Sequence, residues 1–116
     1  METHAKVVVI GGGVVGCSIL FHLAKFGLKD CILLERKELT SGSSWHAAGN
    51  VHVISSDPNI SRLMAYTIKL YKEIEKTSGH STGFKPSGGF YLASNEVWHD
   101  YLKRERSKAR YMGLDQ

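Results

Sequence analysis

A strand, a turn of glycines and a helix start follow one another without a break in Val7-Val8-Val9-Ile10-Gly11-Gly12-Gly13-Val14-Val15-Gly16, an order that restricts the fold more than any other feature of the chain. The unbroken apolar, β-branched run suits a strand covered on both faces. The glycines at 11, 13 and 16 make a G-x-G-x-x-G pattern. Gly11 permits the tight exit from the strand, Gly13 lets the backbone approach a pyrophosphate, and Gly16 lets the helix pack closely on the sheet. The pattern predicts a helix over Val14–Phe26, with Val15, Ile19, Leu20 and Leu23 turned inward and Gly27 at the C′ position. Its first turn, with the amides of Val14 and Val15, offers unpaired N–H groups and roughly half a positive charge to an anion.

A second apolar strand, Cys31-Ile32-Leu33-Leu34, ends at Glu35. That is about 20 residues beyond the glycines, where dinucleotide-binding proteins carry the acid that hydrogen-bonds an adenosine ribose. An acid there repels a 2′-phosphate and so favours FAD or NAD over NADP, while Arg36 flanks the adenosine end. A glycine-rich turn can exist without a ligand. Here strand, turn, helix, second strand and terminal acid agree, and they predict an α/β, Rossmann-like FAD/NAD(P)-binding domain whose two strands run parallel across a right-handed crossover.

A doubly wound sheet that binds a whole dinucleotide needs more strands than 116 residues display. The expectation is therefore an incomplete domain, the N-terminal piece of a larger enzyme, inactive by itself. It divides into a βαβ core over residues 5–36, a cofactor-contacting loop over 37–56 and a helix–strand–helix extension over 57–116. The first extension helix starts with Ser56 or Asp57 as N-cap and Pro58 at N1, and ends at Gly79. Ile60, Leu63, Met64, Thr67, Ile68, Tyr71 and Ile74 form its inward stripe. A strand is expected over Gly89–Ala93, after a turn at Pro86, Gly88 and Gly89. A last helix spans Glu96–Met112, and Gly113 terminates it and leads the chain onward.

Hydrophobic residues make up 42% and charged residues 22%, a balance that fits a soluble globular protein, and no apolar run is long enough to span a membrane. Only Met1–Ala5 precede the first strand, so no targeting segment is visible. Much of the +4 formal charge lies in Lys103, Arg104, Arg106, Lys108 and Arg110. Glu105 interrupts that run and no stacking aromatics frame a groove, so it reads as a solvated helix face and not as a nucleic-acid site. The two cysteines, Cys17 and Cys31, sit where small apolar groups pack, and both are expected to be buried thiols. They suggest a reducing compartment, the cytoplasm or, in a eukaryote, the mitochondrial matrix. Of the histidines, His22 falls inside a helix and His4, His80 and His99 on the surface, with no metal-ligand spacing.

The stretch from Arg36 to Asn50 is a polar, small-residue loop suited to wrapping a ligand. Ser43 and Ser44 either contact cofactor there or serve as turn residues, and Trp45 reads as a loop anchor. The residues Leu33-Leu34-Glu35-Arg36 and Leu39-Thr40-Ser41-Gly42-Ser43-Ser44-Trp45-His46-Ala47-Ala48-Gly49, following the Gly-Gly-Gly-x-x-Gly turn, closely resemble the N-terminus of the dimethylglycine and sarcosine dehydrogenases. These are flavoproteins of the D-amino-acid oxidase-like group, and the resemblance runs through Ser87-Gly88-Gly89. It implies FAD, held covalently through its 8α-methyl group by the histidine that matches His46. It also implies demethylation of an N-methyl amino acid, a hydride equivalent passing from the N-methyl carbon to flavin N5. The iminium left behind then either hydrolyses to formaldehyde or passes its one-carbon unit to tetrahydrofolate in a later region. A separate electron acceptor reoxidises the flavin in such enzymes.

Imidazole chemistry permits the attachment, since a neutral ring nitrogen is a nucleophile and the flavin ring is electron-poor. The residues alone equally allow His46 to hydrogen-bond within its Ser-rich loop. The following Asn50-Val51-His52-Val53-Ile54-Ser55-Ser56 departs from the vertebrate-type pattern, and His52 reads as a surface histidine. No catalytic residue can be named in this stretch. Two other readings stay open: an NAD-dependent or different FAD oxidoreductase, such as a glycerol-phosphate type, and a noncatalytic flavin-binding or regulatory fragment.

Overall fold

β1 (Val7–Ile10) and β2 (Cys31–Leu34) pair in parallel, with Val7 opposite Cys31, Val8 opposite Ile32, Val9 opposite Leu33 and Ile10 opposite Leu34. The twelve-residue helix α1 (Val14–Lys25) connects them. This is the expected βαβ unit, seen in a computed structural model that describes residues 4–114. The chain separates into two compact units, Met1–Asn50 and Val51–Gln116.

Side chains alternate across a strand, so one face of β1 carries Val7 and Val9 and the other Val8 and Ile10. Val9 is buried while Ile10 is 85% exposed. Only one face of this short sheet is covered, although the sequence suits a sheet covered on both. The helix turns inward along Gly16, Leu20 and Leu23, spaced four and three residues apart, with Gly16 buried and both leucines half-buried. Val15 and Ile19, expected on that face, are instead 69% and 46% exposed. The close approach at Gly16 sets the rotation of the helix and puts them one position off the contact line. The end of α1 is as expected: Gly27 has φ +89°, its N–H donates to the Ala24 carbonyl, and the Leu28 N–H reaches the Leu23 carbonyl. Both thiols are half-buried rather than buried. Cys17 donates to the Gly12 carbonyl at 3.6 Å and Cys31 to the Leu28 carbonyl at 3.3 Å.

In the second unit, α2 spans Pro58–Ser78 and α3 spans Glu96–Tyr111. Asp57 is the N-cap of α2, and its Oδ1 accepts from the Asn59 and Ile60 amides at 2.7 and 3.2 Å. Gly79, at φ +72°, closes the helix. Asp57→Ala should cost about 0.5–2 kcal/mol, measured as a lower urea midpoint; an unchanged midpoint would show that the cap contributes nothing. The inward face of α2 differs from the expected stripe. Met64, Thr67, Ile68, Tyr71 and Ile74 are half-buried, but Ile60 and Leu63 are exposed, and the buried positions are Ser61 and Leu70. Ser61 tolerates burial because its hydroxyl accepts from the Ser55 amide and donates to the Ser55 carbonyl.

Residues 80–93 contain neither helix nor strand, so the strand expected over Gly89–Ala93 is absent. Phe90 and Leu92 are 97% and 90% exposed. A strand exists only when a neighbour takes up its backbone groups, and no described residue does so here. In α3 the inward positions are Leu102, Glu105 and Ala109, continued by Met112 at its C-cap, while Lys103, Arg104, Arg106, Lys108 and Arg110 are exposed. Lys103 pairs with Asp100 and Lys108 with Glu105 one turn away, as on a solvated face. Among the described residues no helix is long and apolar enough to cross a membrane, and no three His, Cys, Asp or Glu residues cluster to hold a metal ion.

Candidate dinucleotide site

The site grows from the exit of β1. Gly11 has φ +107°, a conformation that side chains rarely adopt, and its N–H donates to the Leu34 carbonyl at 2.8 Å. This bond adds a rung to the parallel ladder and brings the end of β2 beside the glycine turn. Glu35 therefore lies against the turn, with Oε2 accepting the Gly12 N–H at 2.7 Å and Oε1 the Lys37 N–H at 2.9 Å. Each oxygen keeps lone pairs for further donors.

The Gly12 amide, then the Lys37 amide, favour the ionised carboxylate and hold the Glu35 pKa below its ordinary value, with smaller contributions from the Arg36 amide and charge; partial desolvation opposes them. A lowered folded-state pKa contributes stability that is present above the ordinary carboxylate range and lost as pH falls through the folded value. Wild type should thus exceed Glu35→Gln in urea midpoint at neutral pH, with the difference shrinking in acid. A difference independent of pH would contradict these bonds.

At the start of α1, Gly13 is the N-cap and makes no side-chain capping bond. The Val14 N–H instead donates to Ser44 Oγ at 2.8 Å, from thirty residues away in sequence. A Cβ on Gly13 would stand 3.1 Å from that oxygen, and a Cβ on Gly16 would overlap the Gly11 carbonyl. Gly16 is thus the point of helix–strand approach, as its place in the pattern suggests. The loop is tied down at a second point, where the Thr40 N–H donates to the Gly12 carbonyl at 2.9 Å. Thr40 has φ +66°.

Gly11, Gly13, Val14, Gly16, Glu35 and Ser44 are thus joined by direct bonds or close packing. Val15 lies in the same first turn with its side chain exposed. Arg36 is exposed beside Glu35. Ser43 and His46 stand apart from the glycine turn: the Ser43 carbonyl accepts the His46 N–H at 3.2 Å, and the exposed His46 ring packs on Trp45 with centroids 4.8 Å apart. Trp45 is 68% exposed and does not anchor the loop by burial. Sequence reasoning missed Gly12 and Thr40. A third consecutive glycine was a signal for the former; nothing marked the latter.

A family model described as "DAO: FAD dependent oxidoreductase" matches residues 6–116. The chain belongs to this family. Human mitochondrial dimethylglycine dehydrogenase is 40% identical over 99% of this chain, and human mitochondrial sarcosine dehydrogenase 41% identical over 99%. A 4-methylaminobutanoate oxidase (formaldehyde-forming) from Paenarthrobacter nicotinovorans is 39% identical over 98%. The chain spans 13% of the length of each human relative and 14% of the bacterial one. In the DAO family the βαβ unit is part of an FAD-binding domain, here a short parallel sheet with helices and thus an incomplete α/β domain.

Proposed function

We propose that this chain supplies the nucleotide-binding part of a flavoenzyme that oxidises N-methyl amino acids of the dimethylglycine or sarcosine type. The observation that carries this reading is the convergence of the Glu35 carboxylate and the Ser44 hydroxyl on the Gly12 and Val14 amides of the glycine turn, in a chain of an FAD-dependent family. The residues present fit FAD. Positions 11 and 13 carry no Cβ, the helix start is electropositive, and an acid stands at the end of β2.

Gly13 lets the backbone come close to a diphosphate, with Gly11 making the turn and Gly16 the helix–strand contact behind it, and the Val15 amide, joined by that of Val14 where Ser44 gives it up, would receive the phosphates. Ser44 already accepts the Val14 N–H, and its own hydroxyl proton is available for donation to a phosphate oxygen. Ser43 offers a second hydroxyl in the same loop. Glu35 would accept from the ribose hydroxyls on lone pairs that Gly12 and Lys37 leave open, and Arg36 would flank the adenosine. His46 is the residue to hold the isoalloxazine end covalently through an imidazole nitrogen. FAD, when bound, supplies the two-electron oxidation of the N-methyl carbon, and the protein's share is to orient the methyl group and bind the substrate carboxylate. An electron acceptor, and tetrahydrofolate as acceptor of the one-carbon unit, belong to the same proposal, as does a location in the cytoplasm or, in a eukaryote, in the mitochondrial matrix, the human relatives being mitochondrial proteins.

The full-length protein should retain flavin through purification and turn over dimethylglycine or sarcosine with an artificial electron acceptor, releasing formaldehyde. Retained flavin without turnover of either amine would favour the noncatalytic reading. Binding of NAD in place of flavin would overturn the cofactor assignment.

A further inference from the structure

Gly12 occupies a variable position of the G-x-G-x-x-G pattern, yet the glycine turn is tied to the rest of its unit through the backbone of this residue. Its N–H donates to Glu35 Oε2 at 2.7 Å, and its carbonyl accepts from the Thr40 N–H at 2.9 Å and, more weakly, from the Cys17 thiol at 3.6 Å. The residue is buried. A Cβ here would stand 2.6 Å from Leu39 Cδ2 and 3.0 Å from both Cβ and Cγ of Glu35. Those distances leave no room for alanine without moving the carboxylate or the Leu39 side chain.

The carbonyl bond reaches an unusual partner. Thr40 is the one non-glycine residue with positive φ among the described residues, and such a conformation persists where its surroundings over-determine it. Its N–H bond to Gly12 is one such restraint. Four residues further on, Ser44 returns to the Val14 amide, so the loop start is fastened to the glycine turn at both ends of a five-residue span.

We infer that Gly12 is a positioning residue that sets both ends of the cofactor site from one residue's backbone. Through its N–H it fixes Glu35 at the adenosine end, and through its carbonyl it fixes the loop that carries Ser44 and His46. The inference rests on the FAD reading proposed above and deepens it. A side chain at position 12 disturbs both ends, whereas loss of the Thr40 bond disturbs the loop alone.

The test uses the full-length protein with two probes. ADP, titrated calorimetrically into protein produced under riboflavin limitation so that the site is empty, reports the adenosine–diphosphate end; the retained amount and covalent fraction of FAD after flavin-replete production report the loop. Far-UV circular dichroism and melting temperature identify variants that fail to fold. Gly12→Ala should weaken ADP binding by roughly tenfold or more and lower flavin content with it. Leu39→Ala alone should leave ADP binding within about threefold. Combined with Gly12→Ala it should restore part of the loss, because it removes the nearest clash. Thr40→Pro has no N–H to donate and cannot adopt positive φ. That variant should weaken ADP, through Ser44, less than Gly12→Ala does, while losing retained flavin and its covalent fraction.

Gly12→Ala binding ADP as wild type does would overturn the inference. So would a double variant no better than Gly12→Ala, or Thr40→Pro weakening ADP as much as flavin; these decide the matter if Gly12→Ala does not fold. Wild type that binds neither ADP nor FAD would count against the dinucleotide reading itself, a result distinct from all of these.

Discussion

Gly16→Ala should destabilise the N-terminal unit by about 3 kcal/mol or more, the largest stability loss expected of any single methyl group added to the glycine turn. The added Cβ would overlap the Gly11 carbonyl, a backbone atom that no rotamer change can move, and it would also reach to 3.5 Å from Val9 Cγ1. Relief requires α1 to lift from β1, which exposes Val9, or the turn at Gly11 to open, which breaks its bond to Leu34. Gly42→Ala is the matched control. Gly42 has ordinary φ and nothing within 4 Å of a Cβ, so that change should be close to neutral. Equal denaturation midpoints for the two variants would show that helix and strand do not approach at Gly16.

Gly13→Val should have the opposite character: cofactor lost, helix kept. Gly13 has φ −79° and ψ −177°, extended backbone that valine adopts readily, so folding does not depend on glycine here. The Cβ would come within 3.1 Å of Ser44 Oγ, the atom that accepts the first amide of α1, and the branched methyl groups add bulk at that point of approach. That bulk hinders a diphosphate from reaching the first N–H groups of α1, and dinucleotide affinity should fall by a factor of ten or more, about 1.4 kcal/mol per tenfold. Far-UV circular dichroism should still show the helical signal. Normal flavin content in this variant would refute the assignment of Gly13 to the pyrophosphate, and a lost helical signal would move Gly13 into the same structural class as Gly16.

How much could be read from the residues depends on the range of the interaction. Helix ends are local, and Gly27, Asp57, Gly79 and Gly113 all cap or terminate helices where turn and cap chemistry predicts. The βαβ unit was legible because strand, glycine spacing and terminal acid are a pattern of one contiguous stretch. Burial was read less well. Val15 and Ile19 sit one position off the contact line that Gly16 imposes on α1, and hydropathy periodicity does not resolve a shift that small. Over Gly89–Ala93 the residues have strand propensity, but a ladder needs a partner that the described residues do not provide.

Within the site the same limit applies. Glu35 was legible from its distance to the glycines, yet its bond to Gly12, and Ser44's to Val14, span 23 and 30 residues and follow from the path of the loop. Of the two serines, the structure brings Ser44 to the turn, while Ser43 serves the loop through its carbonyl. His46 carries no geometric mark of its role. Its ring is exposed and packs on Trp45, so the role assigned to it rests on the family resemblance.

The decisive measurement is therefore the mass of the peptide containing Trp45 and His46, taken from the full-length protein after acid denaturation and digestion. A peptide heavier by one FAD is the result expected, and it would join the glycine turn, the loop and the flavin chemistry in a single observation. Free FAD released beside an unmodified peptide would remove the covalent bond from His46 and leave the binding site standing. An unmodified peptide with no flavin anywhere in the preparation would contradict the assignment of this chain to the FAD site of an amine-oxidising enzyme.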